Sequence, residues 1–182
     1  MFNVKAGCGA LSAAMALVAS VSLASAHVTA YPNEAIAGGY FQTAFNVTHG
    51  CEGSPTVALS IKLPEGVVSV KPQMKAGWTI EITKRKLATP VQMHGKTIDE
   101  TVDRVTWRGG PVPDNLFDTF GLMMKLPDTP GKSLYFPVTQ TCEKGETQWT
   151  DIPAAQNAKE TRTPAPAIRL KARASDTGGH AH

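Results

Sequence analysis

This sequence predicts an all-β chain, an immunoglobulin-like antiparallel β-sandwich. Three observations lead there: short runs of alternating apolar and polar residues recur through it, clusters of Gly, Pro, Asn or Asp close each run, and no stretch sustains a helical apolar period. YFQTAFNV (40–47) alternates aromatic or aliphatic residues with polar ones. TVALSIKLP (56–64) places Val57, Leu59, Ile61 and Leu63 on one face and ends in the turn signal LPEGV. GWTIEITKRK (77–86) and TVDRVTWRG (101–109) repeat the pattern, the second closed by GGPVPDN. FDTFGLMMKLP (117–127) runs into PDTPGK. In SLYFPVTQTC (133–142), Pro137 lacks the N–H that a ladder needs, so an edge strand or a bulge is expected there. From about Ala154 the chain turns rich in Pro, Ala and charge, and residues 154–182 are expected to form an irregular segment and a flexible tail. One domain, residues 27–153, is expected to hold the fold.

Residues 1–26 read as a secretory signal peptide. Lys5 supplies the positive charge, an apolar run from Ala10 to Leu23 the hydrophobic region, and Ala24-Ser25-Ala26 the small-residue cleavage site. The run is too short and too rich in Ala and Ser for a permanent membrane anchor, and no later segment approaches spanning length. The expected location is the periplasm or the medium, after cleavage between Ala26 and His27. Removing 26 residues from 182 leaves 156, enough for one cored domain. Lys5 is the only charged residue removed, so the net charge falls from +3 to +2. With no basic stripe interleaved with aromatics, nucleic acid is excluded as a partner.

Cleavage also removes Cys8. Cys51 and Cys142 remain, an even count in an oxidising compartment, and read as one disulfide. There is no C-x-x-C to suggest a metal or redox site. A bridge across 91 residues stabilises a fold by roughly 4–5 kcal/mol in the chain-entropy model.

The cleavage site has a chemical consequence. Once freed, His27 offers its α-amine and its Nδ1 together, closing a six-membered chelate ring on one ion. Such nitrogen donors suit Cu(II), at the top of the divalent affinity order. An α-amine titrates near about pH 8, so copper must displace a proton and binding should weaken in acid. Taken alone, a histidine after a cleavage site is a coincidence of processing. Support comes from VTHGCEGSPTVALSIKLPEGV (47–67), where Glu52 follows Cys51, and from CEKGETQW, where Trp149 lies seven residues past Cys142. The bridge brings these two segments toward each other. A carboxylate is a reasonable third ligand for Cu(II), and an indole beside it would exclude water. Taken alone, Glu52 is a solvated loop carboxylate and Trp149 a core aromatic.

HVTAYPNEAIAGGY, HGCEGSPTVALSIKLPEGV and CEKGETQWTDIP together resemble the YcnI-like copper-binding domain family. The resemblance covers most of residues 27–153 and is sharpest at the histidine start and the Glu-x-x-Pro-Thr segment. It implies an exported β-sandwich that holds one Cu(II) in a single-histidine brace. Carried onto this chain, the amine and imidazole of His27 and the carboxylate of Glu52 are the donors, with Trp149 close by. The Cys51–Cys142 pair resembles a feature of one branch, so the metal site need not depend on it. Family members are commonly encoded beside copper import or copper chaperone proteins. The implied role is therefore copper handling, with a membrane copper transporter or another periplasmic copper chaperone as partner.

Other residues compete for these roles. His49, three residues before Glu52, is either a fourth ligand or, the preferred reading, a hydrogen-bonding group inside a turn. Glu34, seven residues from His27, is the rival carboxylate, and Glu52 is preferred on the family match. His94 is expected to be exposed beside a Gly turn, and His180 and His182 to lie in a solvated tail. Met74, Met93, Met123 and Met124 form no Met-x-x-Met cluster, and the 123–124 pair should contribute a core residue. A histidine start also suggests copper oxygenases, but those need a second histidine in the brace, and only His49 or His94 could serve. No G-x-S-x-G, H-E-x-x-H or G-x-x-x-x-G-K is present. The expectation is a binding protein and not an enzyme, with a metal-free structural sandwich as the alternative and an oxygenase behind it.

Overall fold

The computed structural model describes residues 27–153 and 162–174. The predicted signal peptide, the segment 154–161 and the last eight residues, with His180 and His182, lie outside the described residues.

Twelve strands form three sheets. The first contains β1 (Thr29–Tyr31), β3 (Tyr40–Val47), β8 (Asp118–Lys125) and β5 (Val68–Pro72), in that spatial order. The second contains β11 (Glu146–Trp149), β10 (Val138–Cys142), β4 (Thr56–Lys62), β7 (Lys96–Val112) and β6 (Trp78–Met93). A third, small sheet contains β2 (Glu34–Ile36), β12 (Ala167–Lys171) and β9 (Ser133–Tyr135). All pairs are antiparallel except β2 with β12.

Strand alternation builds the core, because successive side chains point to opposite faces. Phe45 on β3 lies opposite Phe120 on β8, and both are buried. From the second sheet come Leu59, Ile61, Val105, Trp107 and Val138, all buried to 0 % exposure. Met124 is fully buried while Met123 is exposed, so one methionine of that pair is in the core as expected.

Pro137 marks the point where the chain changes sheets. β9 pairs with β12 and β10 with β4, while the Pro137 carbonyl accepts from Lys62 N at 2.9 Å. Losing one donor is harmless where a strand ends. β6 and β7 extend well beyond the runs recognised in the sequence, pairing down to Met93 and Lys96 around the His94–Gly95 turn. Their outer half is mostly exposed, with register slips at Thr83/Lys84 and Lys86/Val91, so it lacks the apolar face that makes a strand visible.

The domain limit at residue 153 needs correction. Residues 167–171 are not an irregular segment: β12 is the central strand of the third sheet, with Ile168 and Leu170 buried. Its five residues follow a Pro-Ala-Pro stretch, and its neighbours β2 and β9 are three residues each. No member is long enough to show a period alone; only pairing makes them a sheet. The domain therefore continues at least to Lys171.

Candidate metal centre

One end of the sandwich gathers the residues singled out above. β1 pairs with β3 so that Thr29 faces Asn46, which sets His27 beside the exit of β3 at Thr48 and His49. β11 ends on Trp149, opposite Val138 of β10. The His27 and Trp149 rings meet edge to face, centroids 5.7 Å apart. His49 meets the same indole in the same manner at 6.1 Å. Both histidines are half-buried and Trp149 is buried.

The indole is held from behind. Its Nε1 donates to Gln140 Oε1 at 2.9 Å, and Gln140 Nε2 donates to the His49 carbonyl at 2.7 Å and to Thr56 Oγ1 at 2.8 Å. Gln140 is 1 % exposed, so each of its amide atoms needs a partner, and each has one. One buried amide thus fixes Trp149 relative to His49.

The loop carrying His49 is bonded residue by residue. His49 Nδ1 donates to the Gly50 carbonyl at 2.5 Å, and Gly50 N donates to Asp114 Oδ1 at 2.8 Å. Gly50 has no room for a side chain, since a Cβ there would sit 1.8 Å from the Ser54 carbonyl oxygen. Cys51 is bonded to Cys142, as the cysteine count predicts. Cys51 N donates to Ser54 O at 3.0 Å and Ser54 N returns the bond to Cys51 O at 2.9 Å. Between them Glu52 and Gly53 sit at φ +50° and +84°, the backbone of a type I′ turn.

That backbone makes Glu52 unusual. Positive φ at the first central position favours Gly, Asn or Asp, and other L-residues lose roughly 1 kcal/mol there. Glu52 nevertheless occupies it, with its side chain exposed at the turn tip. The strain by itself assigns no use to the carboxylate, since Ser69 and His94 also sit near φ +50°.

His27, His49, Trp149 and the disulfide thus come together. Glu52 stands one residue beyond the bridge, and no described hydrogen bond or ion pair joins it to His27. The rival Glu34 is engaged elsewhere, its Oε2 on Lys171 Nζ at 2.5 Å on the third sheet. His94 is exposed on the β6–β7 turn, its Nε2 3.2 Å from the Tyr40 hydroxyl. The preferred reading of His49, a ring bonded inside a turn, is what the structure has. Two residues escaped sequence reasoning. Gln140 could have been found, as a polar residue at an inward position of VTQTC between Val138 and Cys142; Asp114, in a polar loop, gave no signal.

Among the described residues no three His, Cys, Asp or Glu side chains gather around one point. The expected brace would draw on only two side chains, His27 and Glu52, and its remaining donor would be a main-chain nitrogen. While residues 1–26 are attached, that nitrogen is a peptide amide. The residues present fit a cupric ion by donor chemistry, with imidazole nitrogen and carboxylate oxygen beside an indole that limits water access. Among the described residues, no helix is long and apolar enough to cross a membrane.

Comparison with known proteins bears on the whole domain. Residues 27–170 match the family model described as Domain of unknown function (DUF1775). Among solved structures, an uncharacterized protein from Nocardia farcinica with an immunoglobulin-like fold is 28% identical, with TM-score 0.61, over 80% of this chain and 98% of that one. A protein of Corynebacterium diphtheriae described as membrane anchored is 10% identical, with TM-score 0.39, over 80% of this chain and 34% of its own. No curated protein matches the chain.

Proposed function

The chain belongs to the DUF1775 family, also known as YcnI-like, and we propose that it is an exported Cu(II) carrier or chaperone that binds one ion at the Trp149 end of its sandwich. The observation that supports this reading most is the edge-to-face seating of His27 on Trp149 next to the disulfide-anchored Glu52 turn. After cleavage the amine and Nδ1 of His27 form one chelate, and Glu52 supplies an oxygen. The Trp149 indole, held by Gln140, limits the approach of water and of further ligands. A carrier needs a site that binds its cargo firmly yet at the surface, where a partner reaches it. Two donors on an N-terminal residue and one on an exposed turn meet both needs. The partner is a membrane copper transporter or a second copper chaperone, in the periplasm or outside the cell. No catalytic step is assigned to the protein.

The test is a Cu(II) titration of the mature chain beginning at His27, beside His27→Ala and a chain carrying extra residues before His27. Tight one-to-one binding that both changes abolish is the expected result. An extended chain that binds as tightly as the mature one would overturn the brace. Binding by none of the three would leave a structural sandwich as the better reading.

A further inference from the structure

We propose that Asp114 is a positioning residue for the metal centre: by accepting a hydrogen bond from Gly50 N it holds the Glu52 turn still, so that the carboxylate is already ordered for an ion on His27. This rests on the copper reading above and adds to it a residue that touches no ion.

Gly50 is where the turn can be gripped. It lies one residue before Cys51, and a Cβ on it would sit 1.8 Å from the Ser54 carbonyl oxygen, so its backbone packs directly on the residue that closes the turn. Gly50 cannot shift without moving Cys51 and Ser54, and Glu52 rides between those two. Gly50 N donates to Asp114 Oδ1 at 2.8 Å, the length of a charge-assisted bond.

The second observation is direction. Cys51 is bonded to Cys142, Gln140 Nε2 donates to the His49 carbonyl at 2.7 Å, Glu143 N donates to Pro55 O at 2.9 Å and Lys144 N to Ser54 Oγ at 2.8 Å. These attachments all come from β10 or from the turn that follows it. Attachments to one hairpin leave a turn able to swing about that hairpin. Asp114 comes from the loop between β7 and β8, where the chain crosses into the first sheet, and a hold from there removes the swing.

The third observation is that Asp114 is itself held. Leu116 N donates to Pro113 O at 3.0 Å, closing a turn over Asp114. Before this loop, Val112 is buried against its β4 partner Thr56; after it, Asp118 pairs with Lys75 and accepts from Thr119 N at 2.8 Å. A group that orders a ligand needs a base of this kind, because the cost of ordering is then met in folding and not in binding.

Cu(II) titrations of the mature chain separate positioning from a merely structural role. Asp114→Ala should lower Cu(II) affinity about tenfold, as removal of a group that orients a ligand does. Asp114→Asn, whose amide oxygen accepts the same bond, should recover that loss. Glu52→Ala should weaken binding at least as much as Asp114→Ala, and adding Asp114→Ala to it should cost nothing more, since Asp114 acts through Glu52. Lost affinity in Asp114→Asn would overturn the proposal, because charge and not the bond would then matter; this variant decides even if Asp114→Ala does not fold. Undiminished affinity in Asp114→Ala, or the same loss retained in the Glu52→Ala background, would overturn it while leaving the carrier reading intact. Failure of the wild-type chain to bind Cu(II), or undiminished binding by Glu52→Ala, would strike the copper reading or its Glu52 donor, and this proposal with it.

Discussion

The Glu52–Gly53 turn and the His94–Gly95 turn have nearly the same backbone: a non-glycine residue at φ +50° precedes a glycine at φ +84° in one and +73° in the other. Their surroundings differ. Glu52 follows a buried cysteine bonded to Cys142, in a loop tied to Asp114 and Gln140. His94 caps an exposed hairpin arm, and its neighbours are a hydroxyl at 3.2 Å and its own strands. Turn chemistry alone therefore does not distinguish the turn proposed to bind the ion from a structural one. What distinguishes them is how much of the molecule is spent on holding the turn still.

The strongest way to break this comparison is to release the Glu52 turn. Replacing both cysteines, Cys51→Ala with Cys142→Ala, removes a bridge over 91 residues and should lower unfolding free energy by about 2–5 kcal/mol, measured by urea unfolding. Tyr40→Phe, which removes the hydroxyl beside His94, should change it by less than about 0.5 kcal/mol. Equal losses would mean that the two turns are anchored alike, and the distinction would fail.

A smaller effect sharpens it. Asn tolerates positive φ better than Glu or His, so Glu52→Asn and His94→Asn should each leave stability unchanged or raise it by up to about 1 kcal/mol. Only Glu52→Asn should weaken Cu(II) binding. The pair of thermal melts and copper titrations separates strain kept for function from strain that is incidental. If Glu52→Asn lowered stability and bound copper as before, the carboxylate would be structural and the metal reading of this turn would be lost.

The sandwich was legible because β3, β4 and β8 are long and half-buried, so alternation shows in their sequences; β3 was bounded to the residue. β2 and β12 were not, because three to five residues carry no period and their stability comes from partners distant in the chain; β9 was seen only as the start of the 133–142 run, not as a strand of a separate sheet. Part of the candidate site was legible in its residue types. His27, Trp149 and the Cys51–Cys142 bridge were named from a cleavage motif, a cysteine count and a family resemblance, and the structure places them together. What spacing did not carry was the support: Gln140 and Asp114 act through hydrogen bonds across 91 and 64 residues. A sequence read one segment at a time does not contain those pairings.

The smallest effect belongs to the hairpin arm itself. Lys84 Nζ donates to Glu100 Oε1 at 2.8 Å across β6 and β7, with both side chains largely in solvent. The hydrogen bond to Glu100, and then the attraction of its charge, hold the Lys84 ammonium above its ordinary value of 10.5. For a cation held higher in the folded state, the stabilising contribution is complete below the ordinary value and disappears as pH rises through the folded one. Glu100→Gln should therefore lower the urea midpoint only slightly at pH 7 and low salt, less still at physiological salt, and not at all once pH exceeds the folded value. The covalent anchor at Cys51–Cys142 should show no such salt dependence, since no charge is involved. A Glu100→Gln loss that persisted in high salt and rivalled the cysteine variant would show the arm to be held as tightly as the Trp149 end, and anchoring would no longer tell the two turns apart.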